Sequence, residues 1–221
     1  MTTSLSASPS SLRPPSATVR RTVRAVLLAW GTLALGVSVS GVPESLPPLA
    51  FPVLIWSGPL AFLALRARSH ALREYLLGLD PRPLVLFHLV RVLAGVGFLV
   101  LHQRGQLTGD LALYAGWGDI AVGLTAPLAL LALPAHTPAR QRWVLLWNVL
   151  GLLDILGVIV NAQRLLFFSG TPDALAPLTR FPFSLLPLFI VPLVFITHFT
   201  MMARLWAGSG LSGRSGPWAR R

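Results

Sequence analysis

The sequence contains no cysteine, which excludes disulfides, thiolate metal sites and cysteine nucleophiles. It contains no lysine either, so its 18 basic residues are all arginine. Charge is scarce: only 11% of the 221 residues are charged against 54% hydrophobic, with a mean hydropathy of +0.69. So little polar surface cannot cover a water-soluble globule, and the chain reads as an integral membrane protein. A Gly-rich phosphate loop, a His-Glu-x-x-His zinc pair and a Gly-x-Ser-x-Gly elbow are all missing. No pair of apolar segments shows the internal repeat of a large secondary transporter, although six helices can form half of one in a homo-oligomer. Any chemistry must therefore rest on His, Asp, Glu, Ser and Arg. The seven acidic residues leave a net charge of +11, which raises nucleic acid as a partner. The arginines, however, sit at the ends of apolar runs rather than on one face, so topology accounts for them and no nucleic acid is expected.

What is present is a series of apolar runs organised around Trp143 to Leu166, which carries Asn148, Asp154 and Asn161. At about 1.5 Å per residue this run spans roughly 36 Å, with Asp154 near its middle. An unpaired carboxylate there would cost several kcal/mol, so something must face it. Arg91, His198 and Asp119 are the candidates.

In chain order, Met1 to Val19 is rich in Ser, Thr and Pro without an acidic residue, and residues 1–24 are expected to form a disordered basic tail. Ala25 to Val42 reads as a first span retained in the protein, the alternative being a signal peptide cut near Ser38-Val39-Ser40. Leu49 to Leu65 is a second span interrupted by Pro52 and Pro59. In Arg66 to Pro83, Leu72, Leu76 and Leu79 share a face opposite Arg73, which suits either a short helix in the headgroup layer or a solvated loop. Leu84 to Gln103 is the third span, with His88 and Arg91, and with Gly95 and Gly97 where another helix can come close. Leu111 to Leu133 is the fourth; it must begin upstream of Asp119 or be broken there, because Ile120 to Leu133 is only about 21 Å of helix. Phe181 to Trp206 is the last, with Pro182, Pro187, Pro192 and His198, after a loop in which Thr171-Pro172-Asp173 suits the start of a brief helical turn. The expected architecture is an all-α bundle of six transmembrane helices over residues 25–206, followed by a disordered basic tail over 207–221. Arginine is concentrated before span 1, between spans 2 and 3 and after span 6. The positive-inside rule then places both termini in the cytoplasm and the protein in the cytoplasmic (inner) membrane.

That orientation allows depths to be estimated from the helical rise. Asp154 falls at the midplane, Arg91 slightly cytoplasmic of it, and His88, Asn148 and His198 one turn further in. Asp119 falls toward the outside. These residues form a candidate intramembrane polar cluster, Arg91, Asp119, Asn148, Asp154 and His198. Structural alternatives stand beside it: an Arg91–Asp154 pair that only joins helices, Asp119 as a helix cap, and His198 as a hydrogen-bonding core residue. His88 and His198 have similar depth, which also allows a haem b site with Arg91 at a propionate. No metal-ligating set is expected. His102 and His136 read as solvated at span ends, and the tryptophans as interfacial anchors.

At Gly116-x-Gly118-Asp119, at Trp147-Asn148-x-x-Gly151-x-x-Asp154, and at Phe181-Pro182 with Pro187, Pro192 and His198, the chain resembles a family of small bacterial multi-pass membrane proteins without an assigned function. The resemblance covers Leu84 to Leu205 and implies that these polar positions belong together; it implies no substrate. The reading that follows is a small carrier or channel-like protein whose polar route takes protons or a small polar solute. The alternatives are a non-transporting scaffold or subunit and a haem-binding membrane protein. In the carrier reading His198 relays protons, helped by the Leu188 carbonyl that Pro192 leaves without its helical donor.

Overall fold

The computed structural model describes residues 17–168, 170 and 173–208; among them there are helices and turns but no strand. The helices are α1 (Ala17–Val39), α2 (Ala50–Arg68), α3 (His70–Gly78), α4 (Pro81–Phe87), α5 (Val90–Gln103), α6 (Gly109–Leu131), α7 (Pro138–Phe168) and α8 (Val191–Gly208). Six segments are long and apolar enough to cross a bilayer: α1, α2, α4 together with α5, α6, α7, and Leu186–Ala207. The all-α, six-span architecture is thus present. The helix α1 begins at Ala17, so Ala17–Arg24 is helical rather than part of a tail: a helix need not stop where its apolar run does. Residues 1–16 and 209–221, and Thr171-Pro172, lie outside the described residues.

Between α2 and α4 the chain does form a helix. Ser69 caps α3 by accepting a hydrogen bond from the Leu72 N–H at 3.2 Å, and Tyr75 and Leu76 are buried. At its other end Arg204 Nη1 donates to the Leu77 carbonyl and, at 3.1 Å, to that of Leu76, which also accepts from the Leu79 N–H.

The third span is not the continuous helix expected. It breaks at His88-Leu89, where hydrogen bonds tighten to three-residue spacing: His88 N–H to Val85 O at 3.1 Å, Leu89 N–H to Leu86 O at 3.0 Å and Arg91 N–H to His88 O at 3.1 Å. In such a turn side chains three apart eclipse, which brings His88 and Arg91 into line on the inner face. The fourth span shows the opposite outcome. Helix α6 starts well upstream of Asp119 and runs through it unbroken. Helices α5 and α6 pack at Gly95 and Gly116; a Cβ on Gly95 would lie 2.5 Å from the Gly116 carbonyl, so any side chain there would force the helices apart.

The last span enters through a π-helical turn, Leu186–Ile190, just before Pro192. Pro192 leaves the Leu188 carbonyl without its helical donor, and Trp30 of α1 supplies one, Nε1 to O at 3.0 Å. The expected help of that carbonyl to His198 is not seen: it takes its donor from Trp30, and His198 bonds Asn148. Trp30 also meets the Phe189 ring edge-on, and Ser38 bonds Ser184 at 2.5 Å, so α1 is fastened to the start of the last span.

Candidate functional site

Arg91 is the centre of the polar cluster and is 2% exposed. Its Nε donates to Asp119 Oδ1 at 2.6 Å, its Nη1 to the Gly151 carbonyl at 2.9 Å, and its Nη2 to Asp154 Oδ2. The guanidinium thus joins α5 to both α6 and α7, each bond charge-assisted or buried. Asp119 is not a cap near an interface: it is buried in mid-helix, because Gly116 and Gly118 clear the α6 surface for neighbouring helices. The Asp154 carboxylate occupies the space where a Gly118 Cβ would stand. One guanidinium against two carboxylates leaves the triad with a formal charge of −1.

Next to the triad lies a layer of neutral polar groups. His88 and His198, both fully buried, pack ring on ring with centroids 4.3 Å apart and planes at 45°. Asn148 bonds His198 twice, its Oδ1 to Nδ1 at 3.0 Å and its Nδ2 to the backbone carbonyl at 3.2 Å. His88 Nε2 bonds Thr197 Oγ1 at 3.2 Å, and that hydroxyl in turn donates to the Val194 carbonyl at 2.7 Å. Trp147 lies edge-on to His88 with centroids 5.3 Å apart and donates to Thr125 Oγ1 at 3.1 Å. Gly151 links the two layers: its carbonyl holds Arg91, and its Cβ position lies 2.8 Å from His198 Cε1. An iron between two axial imidazoles holds each nitrogen at about 2 Å from the metal. Rings in direct contact leave no place for it, so the two histidines do not fit a haem in this arrangement.

Two cavities approach this core from opposite ends. One, of about 350 Å³, has Glu44, Asp173 and the buried Asp119 among its lining residues, with apolar walls that include Phe98, Ile155 and Val158. The other, of about 570 Å³, is lined by the 78–82 turn, by Leu133 to His136, and by Gln141, Met201 and Arg204. Val85, Val144, Trp147 and Met201 are buried in one apolar cluster that reaches both the histidines and the second cavity, Trp147 meeting His88 and Met201 lining the cavity.

The five residues of the expected cluster therefore lie in two adjoining layers, Arg91, Asp119 and Asp154 in the first and Asn148 and His198 in the second, where His88 joins them. Asn161 is elsewhere, at an exposed end, donating to the Asp110 carbonyl and accepting from Arg164, which also donates to the Asp110 carboxylate. His136 is exposed as expected, whereas His102 is drawn back onto the Leu107 carbonyl at 3.1 Å. Thr197, Thr125 and Trp147 were not read as polar partners from the sequence; the Trp147-Asn148 neighbourhood in a motif was the only signal, and tryptophan near a span end suggests an interface anchor first.

Residues 48–206 match a family described as a domain of unknown function (DUF8737). No curated protein and no solved structure matches the chain.

Proposed function

The chain belongs to this family without an assigned function, and on that premise we propose that it is a small carrier or channel-like membrane protein with an intramembrane route for protons or a small polar solute. The observation that carries the reading is that Asp119 has two roles at once. It is the buried partner of Arg91, and it lines a cavity. A charge network used only to hold helices together has no need of access from the aqueous side, whereas a transported ion or solute does. The opposite face of the core is closed by Val85, Val144, Trp147 and Met201, which is how a carrier facing one side is built. With both termini cytoplasmic, as the arginine distribution supports, the protein lies in the cytoplasmic membrane and the Asp119 cavity faces outward. Its constant partner is the lipid bilayer.

Reconstitution in liposomes tests this. Under an imposed pH gradient, vesicles with the native protein should show flux that Asp119→Asn lowers by roughly tenfold, the variant remaining folded because the amide still accepts from Arg91. Native protein that carries neither protons nor any of a panel of small polar solutes would leave the scaffold reading in its place.

A further inference from the structure

The hydrogen bonds around the histidine pair determine where its protons are. The Thr197 hydroxyl hydrogen is spent on the Val194 carbonyl, so toward His88 Thr197 Oγ1 can only accept, and His88 must carry its proton on Nε2. The Asn148 amide hydrogen is spent on the His198 carbonyl, so its Oδ1 faces His198 Nδ1, which must be the protonated nitrogen of that ring. Each imidazole is therefore oriented through one protonated nitrogen, and in the neutral ring the other carries a bare lone pair. Those two atoms, His88 Nδ1 and His198 Nε2, are buried and have no hydrogen-bond partner.

Two bare acceptors on rings 4.3 Å apart invite a cation, and the available room decides which one. A metal ion would have to stand about 2 Å from each nitrogen and would drive the rings apart. A proton needs no space. The charged side chain that bears on both rings is Arg91 of α5, itself paired with Asp119 of α6 and Asp154 of α7, while α8 and the 88–89 turn add only the histidines themselves and Thr197. With the rings in contact, a proton on one repels a second on the other, which limits the pair to one.

We infer that His88 and His198 form a single proton-binding site that takes up one proton per pair, so that of the two cargoes considered above the proton is the one this core is built to carry. This rests on the transport reading, but its site can be observed without transport. In protein labelled with ¹⁵N-histidine and held in lipid nanodiscs, His88 should show the Nε2–H tautomer and His198 the Nδ1–H tautomer at high pH. On acidification both should change together in one step, with one proton gained between them. In liposomes His88→Gln and His198→Gln should each lower proton flux by roughly tenfold. Independent one-proton steps at each ring, reversed tautomers, or a pair that stays neutral throughout, its nitrogens merely accepting from a buried water, would each overturn the inference. A silent pair in protein that still moves solute would sink the proton site and spare the carrier; a shared proton in protein that moves nothing would do the reverse.

Discussion

Arg91 satisfies three acceptors on two helices, and this alters what a substitution there must do. Removing it strands two carboxylates that then repel each other, so Arg91→Leu should destabilise by about 3 kcal/mol or more. The double variant Arg91→Leu/Asp154→Leu still leaves Asp119 buried and unpaired; only the triple variant that adds Asp119→Leu should regain most of the loss. Unfolding in a denaturing detergent, read by circular dichroism, measures the series. A double variant as stable as the triple would remove Asp119 from the network. The sequence pointed to an Arg91–Asp154 pair from opposite charge at similar depth. It did not show that Asp119 joins them, since rise along a helix gives depth but not the direction a side chain faces.

At the scale of the elements, proline and glycine decide where polar contacts form. Pro192 frees the Leu188 carbonyl at the start of the last span, and the indole of Trp30 reaches across from α1 to satisfy it. Trp30→Phe keeps the aromatic contact with Phe189 but leaves that oxygen without a donor, and should cost about 1 kcal/mol. Trp117→Phe, on an exposed tryptophan, is the control and should be nearly neutral. Equal losses in the same unfolding assay would mean that the Trp30 bond contributes nothing specific. The break at His88-Leu89 is a second instance of local backbone serving the site: three-residue spacing aligns two side chains that a regular helix would offset.

For the whole molecule, the two cavities and the apolar closure between them make an accessibility pattern that single cysteines can map, with no native cysteine to confuse the result. Cysteines at Glu44, Gln106 and Asp173 should react with a membrane-impermeant maleimide from outside intact cells, and those at Ser69 and Thr137 only after the membrane is opened. Ile155→Cys, in the wall of the Asp119 cavity, should label from outside despite its depth, whereas Val144→Cys should resist from either side. An external Ser69 would invert the orientation, and a freely labelled Val144 would mean that the core is not closed.

The sequence by itself determined the class of this protein, the number of its spans and the short roster of its intramembrane polar residues. Those properties follow from hydropathy and from the cost of placing charge in hydrocarbon, and both are read residue by residue. Only the tertiary structure decided how the roster divides. Which carboxylates reach Arg91 depends on the rotation of α5, α6 and α7, set by glycine contacts such as Gly95 against Gly116. That His88 and His198 touch, with their remaining nitrogens bare, depends on hydroxyl and amide partners distant in sequence, Thr197 for one ring and Asn148 for the other. Helix rotation and side-chain hydrogen bonding are settled between elements, where one-dimensional periodicity carries no signal.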